Sequence, residues 1–379
     1  MRLAFVLFEW FPYGGMQRDL IKVVKACQER AQPHIAIYCL RWNGPKPEGV
    51  ELHEVKVTGL SAVARRAAFE RFVQEKVAGR YDKVVGFNRM AGLDYYFGAD
   101  NSFTWRAFNQ RSWWYRLTSR ARHYMRQERA VFGSDSRTIA LLLSPLQRKQ
   151  YEEAHGTPAA RLIDLKPGIE RKHCATENAE QQRKAFRAAQ GLRDDDLLVL
   201  QVGSSFNTKG VDRSLAALAS LPAQLKERVH YLLLGQDQPE PWLQKARQVG
   251  IASVRIEAAR PDIPDCMQGA DLLLHPSRHE SAGMVILEAI VAGLPVLTTA
   301  SCGYAFHVER AAAGCVCAEP FRQERLNELL RTMLESDRRA WRANGIAYGR
   351  EQDLYDMPQQ VAELLLNEGA QSPKDDGNG

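Results

Sequence analysis

No apolar run in this 379-residue chain approaches the ~20 residues of a membrane-spanning helix. That excludes an ordinary multi-span membrane protein. Cysteine is scarce and unpaired in pattern. The seven residues Cys27, Cys39, Cys174, Cys266, Cys302, Cys315 and Cys317 are odd in number and form no CxxC pair. A disulfide scaffold or zinc ribbon is therefore excluded, and reduced, buried thiols are expected. Neither GxGxxG nor a Walker P-loop is present, which removes the two commonest nucleotide fingerprints. Charge of one sign is also lacking: 51 Lys and Arg face 45 Asp and Glu, a surplus of only +6. The opening Leu3–Phe8 run is too short for a signal-peptide core and reads as a buried first strand, so a cytoplasmic protein is expected.

What is present is a long alternation of short apolar strands and helical segments. Strands are expected at Leu3–Phe8, Ile35–Leu40, Glu51–Val57, Lys83–Phe87, Thr138–Leu143 and Leu162–Leu165. They continue at Leu197–Val202, Val229–Leu234, Val254–Ala258, Leu272–His275 and Val296–Thr298, with helices between them. Such alternation predicts parallel sheets with crossover helices, and the continuous hydrophobicity of Leu197–Leu200 and Tyr231–Leu234 predicts strands buried on both faces. The turn Lys166-Pro167-Gly168-Ile169 and the polar stretch behind it mark a break. The expected organisation is α/β, with two Rossmann-like, doubly wound domains, residues 1–166 and 167–355, facing a central cleft. A C-terminal helix at about 356–370 is expected to pack back on the first domain, and the Gly- and Asp-rich tail 371–379 to be disordered.

Three motifs follow strands. Gly14-Gly15, in Phe11–Asp19, stand at a strand-to-helix turn where the backbone can approach a phosphate. In the loop from Gly203 to Gly210, Gly203 permits close approach and Lys209 can reach an anion. The third motif runs from His275 to Ile290. Glu280 precedes a helix opened by Ser281-Ala282-Gly283, at whose N-terminal edge the dipole favours a carboxylate. Glu288 lies inside that helix among Ile286, Leu287, Ala289 and Ile290, where a carboxylate needs a partner. Sugar hydroxyls are one such partner and a core Arg is another.

The spacing Glu280-x7-Glu288 resembles the E-x7-E motif of retaining glycosyltransferases of the GT-B fold, family 4. Gly14-Gly15, Lys209-Gly210, Pro167-Gly168-Ile169 and Ala292-Gly293-Leu294-Pro295-Val296 carry the same resemblance, which spans about residues 1–360. Within the family the chain is most similar to glucosyltransferases of the lipopolysaccharide core, through Val85–Asp94, Tyr115–Arg120 and Ser301–Tyr304. The resemblance implies transfer of a hexose from a UDP-sugar to a heptose of the lipid A–inner core acceptor. A membrane-associated nucleotide-sugar scaffold, or a transferase with another glycolipid acceptor, is the alternative. It implies that Glu288 binds the ribose hydroxyls and Glu280 the donor sugar, helped by N–H groups of Ala282, Gly283, Met284 and Val285. Lys209 would neutralise the diphosphate, with Arg171 assisting and Gly14 and Gly15 beneath it. Arg260 would flank the uracil, and Asp19 and Asp100 would serve the acceptor side. Thr208 departs from the family, which usually carries Arg or Lys there.

No metal or other cofactor is expected. Asp194-Asp195-Asp196 mimics a D-x-D metal motif but precedes a strand, which makes it a solvated turn. His275 and His279 sit on a loop, not a helical zinc pair. The segment from Phe103 to Arg129 is different in kind: seven Arg face one acid, Glu128, and these account for the whole surplus of +6. Read as one helix from Trp113, it puts Trp113, Trp114, Leu117, Ala121, Tyr124 and Met125 within an arc of about 120° with most Arg outside it. Packing on the sheet and nucleic-acid binding are possible uses of such a pattern. An interfacial segment on the anionic cytoplasmic face of the inner membrane suits it better, with no nucleic acid partner expected.

Overall fold

A computed structural model of the chain describes residues 1–12 and 14–367. The expected tail at 371–379, and the last three residues of the expected helix to 370, lie outside the described residues. The backbone divides into two compact units: Met1–Gly168 with the chain from Asp356 onward, and Ile169–Tyr355.

The N-terminal unit contains β1 (Arg2–Val6), β2 (Glu9–Trp10), β3 (His34–Cys39), β4 (Arg41–Trp42), β5 (Val50–Glu54), β6 (Lys83–Gly86), β7 (Tyr95–Gly98), β8 (Ile139–Leu142) and β9 (Leu162–Asp164). Seven of these form a parallel sheet in the order β5-β3-β1-β6-β7-β8-β9, while β2 and β4 pair separately. Strand order reverses between β1 and β6, so the crevice for a ligand opens beyond their C-terminal ends. Leu3, Ala4, Phe5 and Val6 are wholly buried because helices cover both faces of the sheet. The helix Met357–Leu366 packs on Gly15–Ala31, and Lys83 Nζ donates to the Leu364 and Asn367 carbonyls at its end, each at 3.1 Å.

Besides the short β2 and β4, which the sequence does not suggest, two parts of this unit depart from the sequence expectation. Strand β7 has no counterpart in it, because its four residues border the aromatic segment and form no longer run. The segment 103–129 is not one helix from Trp113. It consists of a helix Phe103–Asn109, a 3₁₀ turn Trp113–Leu117 and a helix Ser119–Phe132. Thr118 breaks the wheel: its backbone is extended and its Oγ1 accepts from the Ala121 N–H at 3.2 Å, so the second helix starts with its own cap. Trp113 and Trp114 therefore do not share a helical face with Tyr124, and the side chains of Phe108, Trp113, Trp114 and Leu117 stand more than half exposed.

The C-terminal unit holds β10 (Leu197–Val202), β11 (Val229–Leu234), β12 (Ser253–Glu257), β13 (Leu272–His275), β14 (Val296–Thr299) and β15 (Gly314–Cys317). These strands are parallel in the order β12-β11-β10-β13-β14-β15, with the reversal between β10 and β13. Its core joins Val199, Tyr231, Leu233, Leu272 and Leu274 to Leu215, Leu218, Leu330 and Met333 from the covering helices. The turn Asp194–Asp196 lies at the N-terminal end of β10, but Asp196 is not solvated as expected. It is buried, accepts from Arg193 N at 2.7 Å and lies 3.3 Å from His230 Nε2.

Candidate active site

Two loops leave the C-terminal ends of β10 and β13, the strands that flank the reversal in the C-terminal unit. The β10 loop is shaped by Gln201, which is buried. Its side-chain oxygen accepts from Ser214 Oγ and Tyr231 OH, both at 2.6 Å, and its amide donates to the Lys209 carbonyl at 2.8 Å. Lys209 then folds back across Gly203, where a Cβ would come within 2.9 Å of Lys209 Cε. Gly210 has φ +69° and would place a Cβ 2.1 Å from the Pro276 carbonyl, so only glycine lets the loops approach. The β13 loop closes the contact: Arg278 N and Ser277 Oγ donate to the Thr208 carbonyl at 2.8 and 3.0 Å, and Arg278 pairs with Asp212.

This joins Lys209 to Glu280. The ammonium bonds Glu280 Oε1, and His275 Nε2 meets Oε2 at 2.6 Å. Burial alone raises the Glu280 carboxyl, but Lys209 and His275 outweigh it and hold it well below the ordinary range. Glu280 stands apart from the helix start that the sequence puts it beside. It lies in a short bridge to Cys302, with its N–H on the Ser301 carbonyl at 3.1 Å. The helix Met284–Val291 begins after Gly283, whose φ of +92° turns the chain. Among the described residues, the N–H groups of Ala282, Gly283, Met284 and Val285 donate to no protein acceptor.

Glu288 is nearly buried in that helix, and the residue facing it is not the Arg that the core alternative required. His173 Nε2 lies 3.6 Å from Glu288 Oε1. Arg171, two residues earlier, is not drawn to Lys209; its guanidinium stacks 3.9 Å over the Tyr355 ring. Arg260 is held by Glu257 and Asp262, which raise its pKa, and among the described residues no hydrogen bond or ion pair joins it to Lys209, Glu280 or Glu288. Sequence reasoning misses two partners: Gln201, hidden as a polar letter inside an apolar strand, and His275, which the sequence raises only to set aside as a zinc ligand. Donor atoms of His275, Glu280 and Cys302 lie within 4.8 Å of one another. The Lys209 ammonium on Glu280 opposes a dication there, and burial pushes the Cys302 thiol up to about 11, where it is a poor ligand.

The N-terminal unit has a cavity of about 230 Å³ at the ends of β1 and β6, lined by Phe8, Gln17, Arg66, Asn88, Arg89 and Asp100 among others. Gly14 precedes the helix Gly15–Ala31, and a Cβ on it would strike Gln17 Oε1, whereas a Cβ on Gly15 would meet nothing within 4 Å. Asp19 is buried on that helix and does not line the cavity; Asp100 does, with its side chain 61% exposed and 3.6 Å from Arg89. Behind Arg89 lies Glu128, with no exposed side-chain surface. It accepts from Arg89, from Ser102 Oγ at 2.6 Å and from the Phe103 and Thr104 N–H groups at 2.7 and 3.1 Å, and it meets His155 Nε2 at 2.9 Å. Burial raises its carboxyl, yet Arg89, His155 and Ser102 bring it down to about 2.

The chain is 41% identical over 369 residues to the lipopolysaccharide glucosyltransferase WaaG of Escherichia coli K12, covering 96% of this chain and 98% of that protein. The profile of the family described as Glycosyl transferases group 1 matches residues 182–352. The chain belongs to the group 1 glycosyltransferases. The crystal structure of WaaG, described as a glycosyltransferase involved in lipopolysaccharide biosynthesis, superposes with a TM-score of 0.90 at 40% identity, over 96% of this chain and 100% of that one. Anabaena HepE, solved with UDP-glucose, shares the fold at a TM-score of 0.71 and 20% identity, over 96% and 99% of the two chains. This glycosyltransferase thus has the GT-B fold, as the resemblance to family 4 implied. Among the described residues no helix is long and apolar enough to cross a membrane.

Proposed function

We propose that this glycosyltransferase moves a hexose, glucose by its likeness to WaaG, from UDP to a heptose of the lipid A–inner core, working peripherally at the cytoplasmic face of the inner membrane. The observation that carries the reading is the Lys209–Glu280–His275 cluster at the strand-order reversal, beside N–H groups with no protein acceptor among the described residues. A diphosphate needs a cation and free N–H donors, and a hexose needs a carboxylate that accepts two hydroxyls. Glu288 would take the ribose hydroxyls, with His173 behind it. Thr208 offers only its hydroxyl. Arg171 and Arg260, each engaged elsewhere, would have to change partners to reach the donor. No metal is invoked, since Lys209 and the helix start supply the electrostatic stabilisation of the leaving group.

In the retaining reaction the acceptor oxygen attacks the anomeric carbon on the face that the UDP oxygen leaves. The carbon–oxygen bond to UDP breaks as the new one forms, and the acceptor proton passes to the departing phosphate. Asp100, in the cavity of the N-terminal unit, would position the acceptor hydroxyl, while buried Asp19 would act only through the helix that carries it. The exposed aromatic and Arg residues of 103–129 would hold the enzyme on anionic lipid. The test is UDP release from a panel of UDP-sugars, with purified protein and lipopolysaccharide truncated after the inner core. Release that depends on acceptor, largest with UDP-glucose, is expected; consumption of no UDP-sugar under any acceptor condition refutes the reading.

A further inference from the structure

The apolar tip of 103–129 has a neighbour. The helix Ala62–Phe72 follows β5, and Ser119–Phe132 follows β7. Both lead to the next strand rightward in one parallel sheet, so both cross the same face and both begin at its C-terminal edge. Side chains bear this out in order along the two helices: Arg66 Nη1 donates to Tyr124 OH at 3.5 Å, and one turn on Gln127 Nε2 donates to Glu70. The helices thus run in the same direction and present their starts on the same side. At the start of one stand Trp113, Trp114 and Leu117. At the start of the other, Leu60 is fully exposed and Val63 is 40% exposed. From Lys56 to Arg66 the chain has three basic residues and no acid. The same two helices line the cavity through Arg66, Tyr124 and Gln127.

We infer that the loop carrying Leu60, with Val63, is a second lipid contact, so that the enzyme sits on an anionic bilayer by two points beside the cavity of its N-terminal unit. This rests on the membrane reading proposed above and extends it to residues outside 103–129. An isolated leucine side chain in water gains nothing for the fold; entering the acyl boundary it gains the transfer free energy of a buried Leu, with Lys56 and Arg65 left at the headgroups. Both helices are needed, because a single anchor leaves the enzyme free to tilt.

The experiment is flotation of the full chain with vesicles of phosphatidylethanolamine and phosphatidylglycerol, and with neutral phosphatidylcholine vesicles. The parent is expected to float with the anionic vesicles, and Leu60→Asp to lower its partition coefficient about tenfold. Val63→Asp should add a smaller loss. Trp113→Ser with Trp114→Ser serves as the reference for the first contact. Thermal unfolding of Leu60→Asp should match the parent, since no packing is lost. If the parent and Leu60→Asp float equally while the Trp variant is released, the second contact is refuted and the first stands. If the parent does not float at all, the membrane reading itself falls and this inference with it.

Discussion

Glu128 is one acid among seven arginines in its segment, and replacing it by Gln tests how the N-terminal unit is held together. The carboxylate is wholly buried and has five partners: Arg89, Ser102 Oγ, two N–H groups at the start of the helix Phe103–Asn109, and His155. Gln keeps the shape but removes the charge and turns one acceptor into a donor, facing groups that are mostly donors. Among the described residues, Arg89, 13% exposed, then keeps only Asp100 as an ion-pair partner, at 3.6 Å. Removing one partner of a buried ion pair costs about 3–5 kcal/mol. Linkage gives a similar figure. A carboxyl lowered from 4.5 to about 2 carries about 3 kcal/mol, because each tenfold change in proton affinity is worth about 1.4 kcal/mol. Because the folded value is depressed, that stability is fully present above about pH 4.5 and is lost as the pH falls toward 2. For a chain of 379 residues, at about 2.1 cal/mol/K of unfolding entropy per residue, the melting transition of Glu128→Gln should drop by roughly 4–6 °C at pH 7. Calorimetry from pH 7 to pH 2 is the assay, with the parent losing its advantage through the acid range and the variant showing a flatter profile. A melting change under ~2 °C with an unchanged acid slope would show that the network contributes no net stability.

Three further outcomes bear on the donor site. Lys209→Ala should lower kcat/KM about 100- to 1000-fold by removing one preorganised donor to the leaving group, and a loss under tenfold in steady-state assays contradicts that role. Glu288→Ala should weaken UDP-sugar binding by about 1–3 kcal/mol, since two hydroxyl contacts are lost; preserved affinity by calorimetric titration sinks the ribose assignment. Gly15→Ala should melt like the parent, because its added Cβ meets no protein atom within 4 Å. Its activity should nonetheless fall if phosphate or sugar lies over that position, and full activity removes the substrate from it.

The parallel sheets are legible in the sequence because their strands are buried on both faces and carry unbroken apolar runs, as in Leu197–Leu200. Strand β7 is not, being four residues beside an aromatic-rich stretch. The helical wheel over 113–129 fails at Thr118, where a local cap hydrogen bond outweighs amphipathic periodicity. At the candidate site, Lys209 and Glu280 can be singled out as charges at strand ends and by family spacing. Their direct pairing cannot, since it depends on two loops 71 residues apart meeting across the strand-order reversal. Gln201 is invisible for a related reason: it faces inward, and its value lies in Ser214, Tyr231 and the Lys209 carbonyl, none of them adjacent in sequence.

The Lys209–Glu280 pair also bears on the order in which a donor is recognised. With no substrate bound, each charge satisfies the other, so a neutral sugar arriving alone must compete with an ammonium for the carboxylate. In the proposed roles an entering diphosphate would change the exchange, drawing Lys209 to itself and leaving Glu280 open to hydroxyls. On the donor roles proposed here, the nucleotide half and the hexose half of the donor are thermodynamically coupled through one swap of partners, and by linkage the coupling runs both ways. Free hexose should therefore bind measurably only when UDP is present, and UDP should bind more tightly in the presence of hexose. On those roles, the pair would keep the empty enzyme indifferent to the free sugars of its surroundings.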